Sequence, residues 1–271
     1  MALHAFFDNV RHHVLLAKVA QRLNDAEVMH VLKSILKVSG SKGGPQGGVI
    51  SPWLSHLYLT EGERMLERAT EGTRRGAYTY LEYARFADDL VMLGDASRDH
   101  DGLLHAVDTR LRQEWASLQV AINAEKSRIV DLAHGETFSF LGFDFRRVKS
   151  RRGVWRPWYT PRQKKRTARL RKLKDIFRRY ESQPVARGVD LINPILRGWV
   201  HYFAVGNSSR CFSFVQKWVE KKIRRHMMRA KKRKGFGWKR WSREWLYQEI
   251  GLFNDYRVRY YESTPKVAPA R

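Results

Sequence analysis

One cysteine, Cys211, stands in the whole chain. No disulfide framework can form, and a reducing compartment, the cytoplasm, fits this usage best. No run of about 20 apolar residues occurs, so no membrane-spanning helix is expected. The opening stretch MALHAFFDNVRHHV has no long apolar core behind a basic start and does not read as a signal peptide. The histidines are scattered. His12, His13 and His201 show no paired metal-ligand spacing, so no zinc site is expected. No internal repeat is visible.

Acidic residues are scarce too, and unevenly so. Residues 1–145 hold 16 Lys and Arg against 19 Asp and Glu, a net of −3; the rest hold 36 against 8, a net of +28. A region this basic repels itself unless a polyanion is near, so nucleic acid is the expected partner. Aromatics interleaved with the basic residues point the same way. Apolar residues make up 43% of the 271, enough for a real core.

Helical spacing of Val14, Leu15, Val19 and Leu23 predicts a helix after an aromatic strand end at FFDN, with Asp8 or Asn9 as its cap. DAEVMHVLKSILKV predicts a second helix capped by Asp25 or Asn24. A glycine-rich loop, SGSKGGPQGGVISP, precedes one helix over WLSHLYLTEGERMLERAT. AYTYLEYARFADDLVMLGD alternates as a β-hairpin does, and DHDGLLHAVDTRLRQEWASL reads as a further helix. FSFLGFDFRRV and GVWRPWYTP predict another hairpin around KSRRG. PRQKKRTARLRKLKDIFRRYES is a basic helix with Leu170, Leu173, Ile176 and Phe177 on one face. The fold class is α+β: a mixed first module over 1–150, then an all-helical basic module over 160–262.

Within the first hairpin, Asp88 and Asp89 stand side by side at the turn. Two like charges about 4 Å apart repel by about 1 kcal/mol in water and more in a drier site. A divalent cation offsets that. Hard carboxylate oxygens suit Mg²⁺, which often binds through one or two carboxylates plus substrate phosphates. Beside a basic partner module, the pair points to phosphoryl transfer on nucleic acid. An Asp-Asp turn by itself is more often simply solvated.

Four further segments join it in order. FADD resembles the catalytic signature of reverse transcriptases, and GGPQGGVISPWLSHLYL resembles their Pro-Gln-Gly…Ile-Ser-Pro segment. NAEKSRIV and FSFLGFDF resemble the two blocks that follow. INPILRGWVHYF resembles the maturase region, or thumb, of group II intron proteins. The chain is similar over about residues 6–260 to a group II intron reverse transcriptase/maturase.

That resemblance implies an incomplete palm domain lacking its fingers, followed by a helical thumb. It implies an RNA-directed DNA polymerase using Mg²⁺ and deoxynucleoside triphosphates, with intron RNA and primer DNA as partners. Asp88 and Asp89 become the metal-binding catalytic pair. Phe86 lies under the primer end, and Phe140, Leu141 and Gly142 match a primer grip. Gln46 and Gly47 match residues along the incoming nucleotide and template, among Gly43, Gly44 and Gly48. Phe7 matches the aromatic gate that senses the sugar 2′-position, and Lys126 a lysine near the nucleotide. For RNA, the basic positions are Lys164, Lys165, Arg166 and Arg169, with Lys231, Lys232, Arg233 and Lys234. Within INPILRGWVHYF, Trp199, Tyr202 and Phe203 mix with Ile195 and Leu196 at helical spacing and are expected in the core. Cys211 is expected to be an inert buried thiol.

One departure matters. The family places a third carboxylate five residues before the gate aromatic, and here that position is Ala2. Asp8 matches a second, structural Asp. The chain therefore reads as N-terminally truncated, mis-started or split, with the missing part supplied in trans or by a dimer. No His-Asn-His nuclease segment follows LFNDYRVRYYESTPKVAPAR. The alternative functions are an RNA-binding splicing factor without polymerase activity and a non-functional remnant.

Overall fold

The computed structural model describes residues 1–259 except 2, 4–5, 24, 39, 45–47, 77 and 96–101; the side chains of Phe7, Tyr78 and Thr79 are also outside the described set. The backbone falls into two units, Met1–Ile129 and Val130–Arg271.

The first unit runs α1 (Phe6–Asn9), α2 (His12–Ala20), α3 (Ala26–Lys37), α4 (Ser51–Tyr58), α5 (Thr60–Gly72), β1 (Arg74–Arg75), β2 (Tyr78–Thr79), β3 (Leu81–Phe86), β4 (Asp89–Gly94) and α6 (Leu103–Ser117). The antiparallel pair β3–β4 aligns Leu81 with Gly94 and Phe86 with Asp89. One core joins Leu15, Leu36, Tyr58, Leu66, Leu81, Leu90, Leu111 and Trp115. Helix α5 approaches α6 so closely that a Cβ on Gly62 would lie 2.5 Å from Trp115 Nε1. Glycine is required there for that reason.

Three expectations shift. FFDN forms a helical turn, not a strand end, and α2 starts after Arg11 rather than after Asp8 or Asn9. Distant partners set that start: Arg11 bridges Lys42, and His12 Nε2 lies 2.6 Å from the Gly43 carbonyl. The helix expected over 53–70 is two helices divided at Leu59. Asp25 does cap α3, accepting from the Glu27 and Val28 amides at 2.9 and 3.0 Å; Asn24 lies outside the described residues.

The second unit holds the antiparallel sheet β5 (Phe138–Phe140), β6 (Phe143–Lys149) and β7 (Trp155–Pro161). Helices α7 (Gln163–Arg179), α8 (Val185–Tyr202), α9 (Ser209–Ala230) and α10 (Arg243–Gln248) follow. FSFLGFDF is not one strand. It breaks at Leu141–Gly142, whose φ values of 47° and 80° are both left-handed, the signature of a two-residue hairpin turn. Leu173, Phe177, Ile192, Leu196, Trp199, Phe203, Phe212, Val215, Val219 and Ile223 form the second core. The stripe on α7 is as read, with Leu173 and Phe177 buried and Leu170 and Ile176 packed against them. Cys211 is buried, and burial pushes its thiol pKa up. Trp199 and Phe203 are core residues, but Tyr202 is 57% exposed. Positions 199, 202 and 203 share a helix face, so spacing does not set Tyr202 apart; its hydroxyl instead reaches the Leu141 carbonyl. Among the described residues no helix is long and apolar enough to cross a membrane.

Candidate functional site

Strand β3 delivers the chain to a two-residue turn, Ala87–Asp88, and β4 takes it back from Asp89. Ala87 adopts φ 53°, a left-handed value that an L-residue accepts only when its surroundings hold it there. The holding group is Arg85. Its guanidinium donates to the Ala87 carbonyl at 2.7 Å and to Glu63 of α5 at 2.8 Å. His56 Nδ1 sits 2.9 Å from the same guanidinium and 2.9 Å from Glu63. The Arg85 side chain is only 7% exposed. The turn is thus clamped to α5.

On that turn Asp88 is half-buried and Asp89 exposed at the hairpin tip. The Asp89 carboxyl is held above its ordinary value, first by burial and then by the charge of Asp88. The Met1 amino group and Lys126 pull it back down. A cation beside the turn would offset the repulsion between the two carboxylates. Two hard carboxylates on a fixed turn are a donor set that Mg²⁺ accepts when substrate phosphates complete its shell. Lys126 itself is exposed, in a turn closed by its own amide donating to Asn123 Oδ1 at 3.1 Å.

The backbone beside the pair is also occupied. Met1 exchanges two bonds with Leu90, at 2.7 and 2.9 Å, and the Leu3 amide donates to the Asp88 carbonyl at 3.1 Å. Leu3 bridges Ile122 in turn. The segment to which the resemblance assigns the third carboxylate thus runs beside the acidic turn. Ala2 itself lies outside the described residues, as do Gln46 and Gly47; the backbone of Phe7 is in α1.

Phe86 is 64% exposed at the end of β3, opposite Asp89, and no part of the core.

In the second unit, Phe140, Leu141 and Gly142 form the end of β5 and the tight turn into β6. Tyr202 donates its hydroxyl to the Leu141 carbonyl at 2.9 Å, and the Arg162 amide donates to the Gly142 carbonyl at 2.9 Å. A Cβ on Gly142 would meet Phe203 at 3.4 Å. Helix α8 therefore fixes this turn, and the exposure of Tyr202 follows from that bond.

Lys164, Lys165 and the four residues Lys231, Lys232, Arg233 and Lys234 are exposed. Arg169 is half-buried. Arg166 is half-buried as well, with its guanidinium 4.4 Å from the centre of the Phe214 ring. Its charge is directed into α9 as much as outward.

The residues that sequence reasoning missed are Arg85, Glu63 and Tyr202. A signal for Arg85 existed. In an alternating strand it shares a face with Leu81 and Tyr83, and a cation on an inward face demands an acidic partner. The sequence does not say which acid.

A family model described as reverse transcriptase (RNA-dependent DNA polymerase) matches residues 1–145, and one described as the group II intron maturase-specific domain matches residues 166–245. The chain is 30% identical over 196 residues to Protein YkfC of Escherichia coli strain K12. That alignment covers 60% of this chain and 50% of the relative, so the chain spans about half the length of the curated protein it matches.

Proposed function

Because this chain belongs to the reverse transcriptases, in the group II intron form that carries a maturase-specific domain, we propose that it serves RNA-templated DNA synthesis and the handling of intron RNA for splicing and mobility. The observation that carries the reading is the acidic pair. Asp88 and Asp89 sit on a clamped turn, with the Asp89 carboxyl raised by burial and by its neighbour's charge. Asp88 and Asp89 would hold Mg²⁺, which reverse transcriptases generally use. When bound, the ion would activate the attacking primer oxygen and stabilise the leaving phosphate.

The chain's own residues do the rest. Arg85 keeps the turn from shifting away from the metal-binding geometry. Lys126, close enough to act on Asp89, neutralises phosphate charge on the incoming nucleotide. Phe86 offers an apolar seat beside the carboxylates for the primer end. The Leu141–Gly142 turn, held by Tyr202, grips the primer strand. Lys164, Lys165, Arg169 and Lys231–Lys234 contact phosphates of intron RNA in the cytoplasm.

A second reading has its own observation. Ala2 offers no carboxylate where the family has one. With two ligands instead of three, charge stabilisation in the transition state falls. On its own, the chain would then extend primers feebly and act as an RNA-binding splicing factor, with a dimer partner or a fragment in trans completing the polymerase. Primer extension on an RNA template, run with and without Mg²⁺, decides between the two. Robust extension by the 271-residue chain favours polymerase. Tight RNA binding without extension favours the splicing factor, and neither one overturns both.

A further inference from the structure

Between Glu220 and Glu244 the sequence has no acidic residue and twelve Lys and Arg. Inside that stretch, KGFGWKRW places two aromatic rings two residues apart. Gly235 and Gly237 flank Phe236 at φ 101° and 71°. A Cβ on Gly237 would lie 2.6 Å from the buried Trp241 ring, and the Trp241 amide donates to the Gly237 carbonyl at 3.0 Å. The loop is therefore shaped by its glycines and anchored by Trp241.

Cations of α9 lie over each ring. Phe236 has Lys221 at 4.5 Å and Arg225 at 5.5 Å from its centre; Trp238 has the Arg224 guanidinium at 4.2 Å. Arg224 is itself fully buried, donating to the Trp241 carbonyl at 2.9 Å and pairing with Glu220. Yet Phe236 remains 40% exposed and Trp238 47% exposed. Apolar rings held rigid and left open, with Lys231, Lys232, Arg233, Lys234, Lys239 and Arg240 all exposed around them, are complementary to a flat apolar ligand that carries negative charge. Unpaired nucleotides have that chemistry. A duplex does not, because its bases have no free faces.

We propose that the loop from Lys231 to Trp241 is a stacking platform for unpaired RNA bases, with Phe236 and Trp238 each taking one base while the surrounding cations hold the phosphates. The identity of the ligand as RNA rests on the maturase reading above. The selection of single strands rests on the rings alone. Phosphate contacts supply affinity without regard to base pairing, whereas base–aromatic stacking requires an open base.

The test uses the full chain and two probes: a single-stranded RNA of about ten nucleotides carrying one 2-aminopurine, and a blunt RNA duplex with a similar number of phosphates. Phe236→Ala is expected to weaken single-strand binding about fivefold or more while leaving duplex binding unchanged within about twofold. The salt slope should stay as it was, since the cations that meet the phosphates are untouched. Phe236→Tyr should restore binding, and 2-aminopurine emission should be quenched by the parent and not by Phe236→Ala. Trp238→Ala should act in the same direction, judged together with its melting temperature because Trp238 covers Arg224. Equal losses on both probes, no loss on either, or an unquenched probe overturns the platform. Salt-dependent binding of structured RNA that is indifferent to Phe236→Ala overturns the platform and leaves the maturase reading standing. Failure to bind any RNA overturns both.

Discussion

The two units are built from opposite electrostatics. Residues 1–129 carry 16 Lys and Arg and 16 Asp and Glu, a net of zero; residues 130–271 carry the entire +25. The neutral unit concentrates its charge into a few determinate pairs. Lys18 donates to the Tyr58 carbonyl and pairs with Glu61, and Arg85 pairs with Glu63. Among the described residues the basic unit buries the Glu220–Arg224 pair, met from the surface by the exposed Arg243, and leaves most other cations in solvent. Chemistry on a phosphate needs carboxylates held still, and binding along a polyanion needs many loosely placed cations. Each unit has the charge arrangement suited to one of these tasks.

The contrast breaks first at the carboxylates. In any form that extends a primer, Asp88→Ala and Asp89→Ala should each lower the extension rate by about 10³-fold, as expected for removal of a group that stabilises transition-state charge. RNA affinity, read by filter binding, should not change. Near-normal extension by either variant removes that residue from the catalytic assignment.

Stability comes next. Trp199 is 3% exposed, and Trp199→Ala should cost about 3–5 kcal/mol by chemical denaturation. A variant that melts like the parent but loses RNA binding reverses the core assignment. In the neutral unit, Arg85→Ala leaves Glu63 without its guanidinium partner and should cost about 3 kcal/mol, with Arg85→Lys recovering part of it.

Replacing Lys231, Lys232, Arg233 and Lys234 with Glu tests the basic unit. The affinity for all RNAs should fall together, and the log–log salt slope should flatten by about 0.7 for each single-strand phosphate that the loop no longer neutralises. Unchanged affinity, or binding indifferent to salt, removes the loop from the interface.

The smallest effect sharpens the acidic pair. Because the folded Asp89 carboxyl titrates above its unfolded value of 3.8, the stability it contributes is present in acid and lost as pH rises through the raised value. In chelator the first unit should therefore lose a little stability across that range, and Asp89→Asn should abolish the loss. Added Mg²⁺ should restore stability to the parent and not to Asp89→Asn. Melting curves with and without Mg²⁺ measure both.

Local pattern made much of this legible. The acidic turn, its hairpin, the α7 stripe and the imbalance of charge are all set by residues close in sequence, whose period fixes their face. FSFLGFDF held a signal that its overall apolar character masks: the aromatics stand at 138 and 140 and then at 143 and 145, so the alternation slips by one position at Leu141–Gly142, where the backbone reverses. The break at Leu59 was silent, because both flanking helices keep helical spacing.

The sequence by itself determined that an acidic pair sits at a hairpin tip, that a basic region follows, and that cations and aromatics alternate within it. Only the tertiary structure decided which charge answers which. Arg85 meets Glu63 across 22 positions, Tyr202 meets Leu141 across 61, and Arg224 is buried under Trp238. Those pairings follow from how helices and strands come to lie together once their apolar faces are covered. A side chain's own neighbours in sequence carry no record of that arrangement.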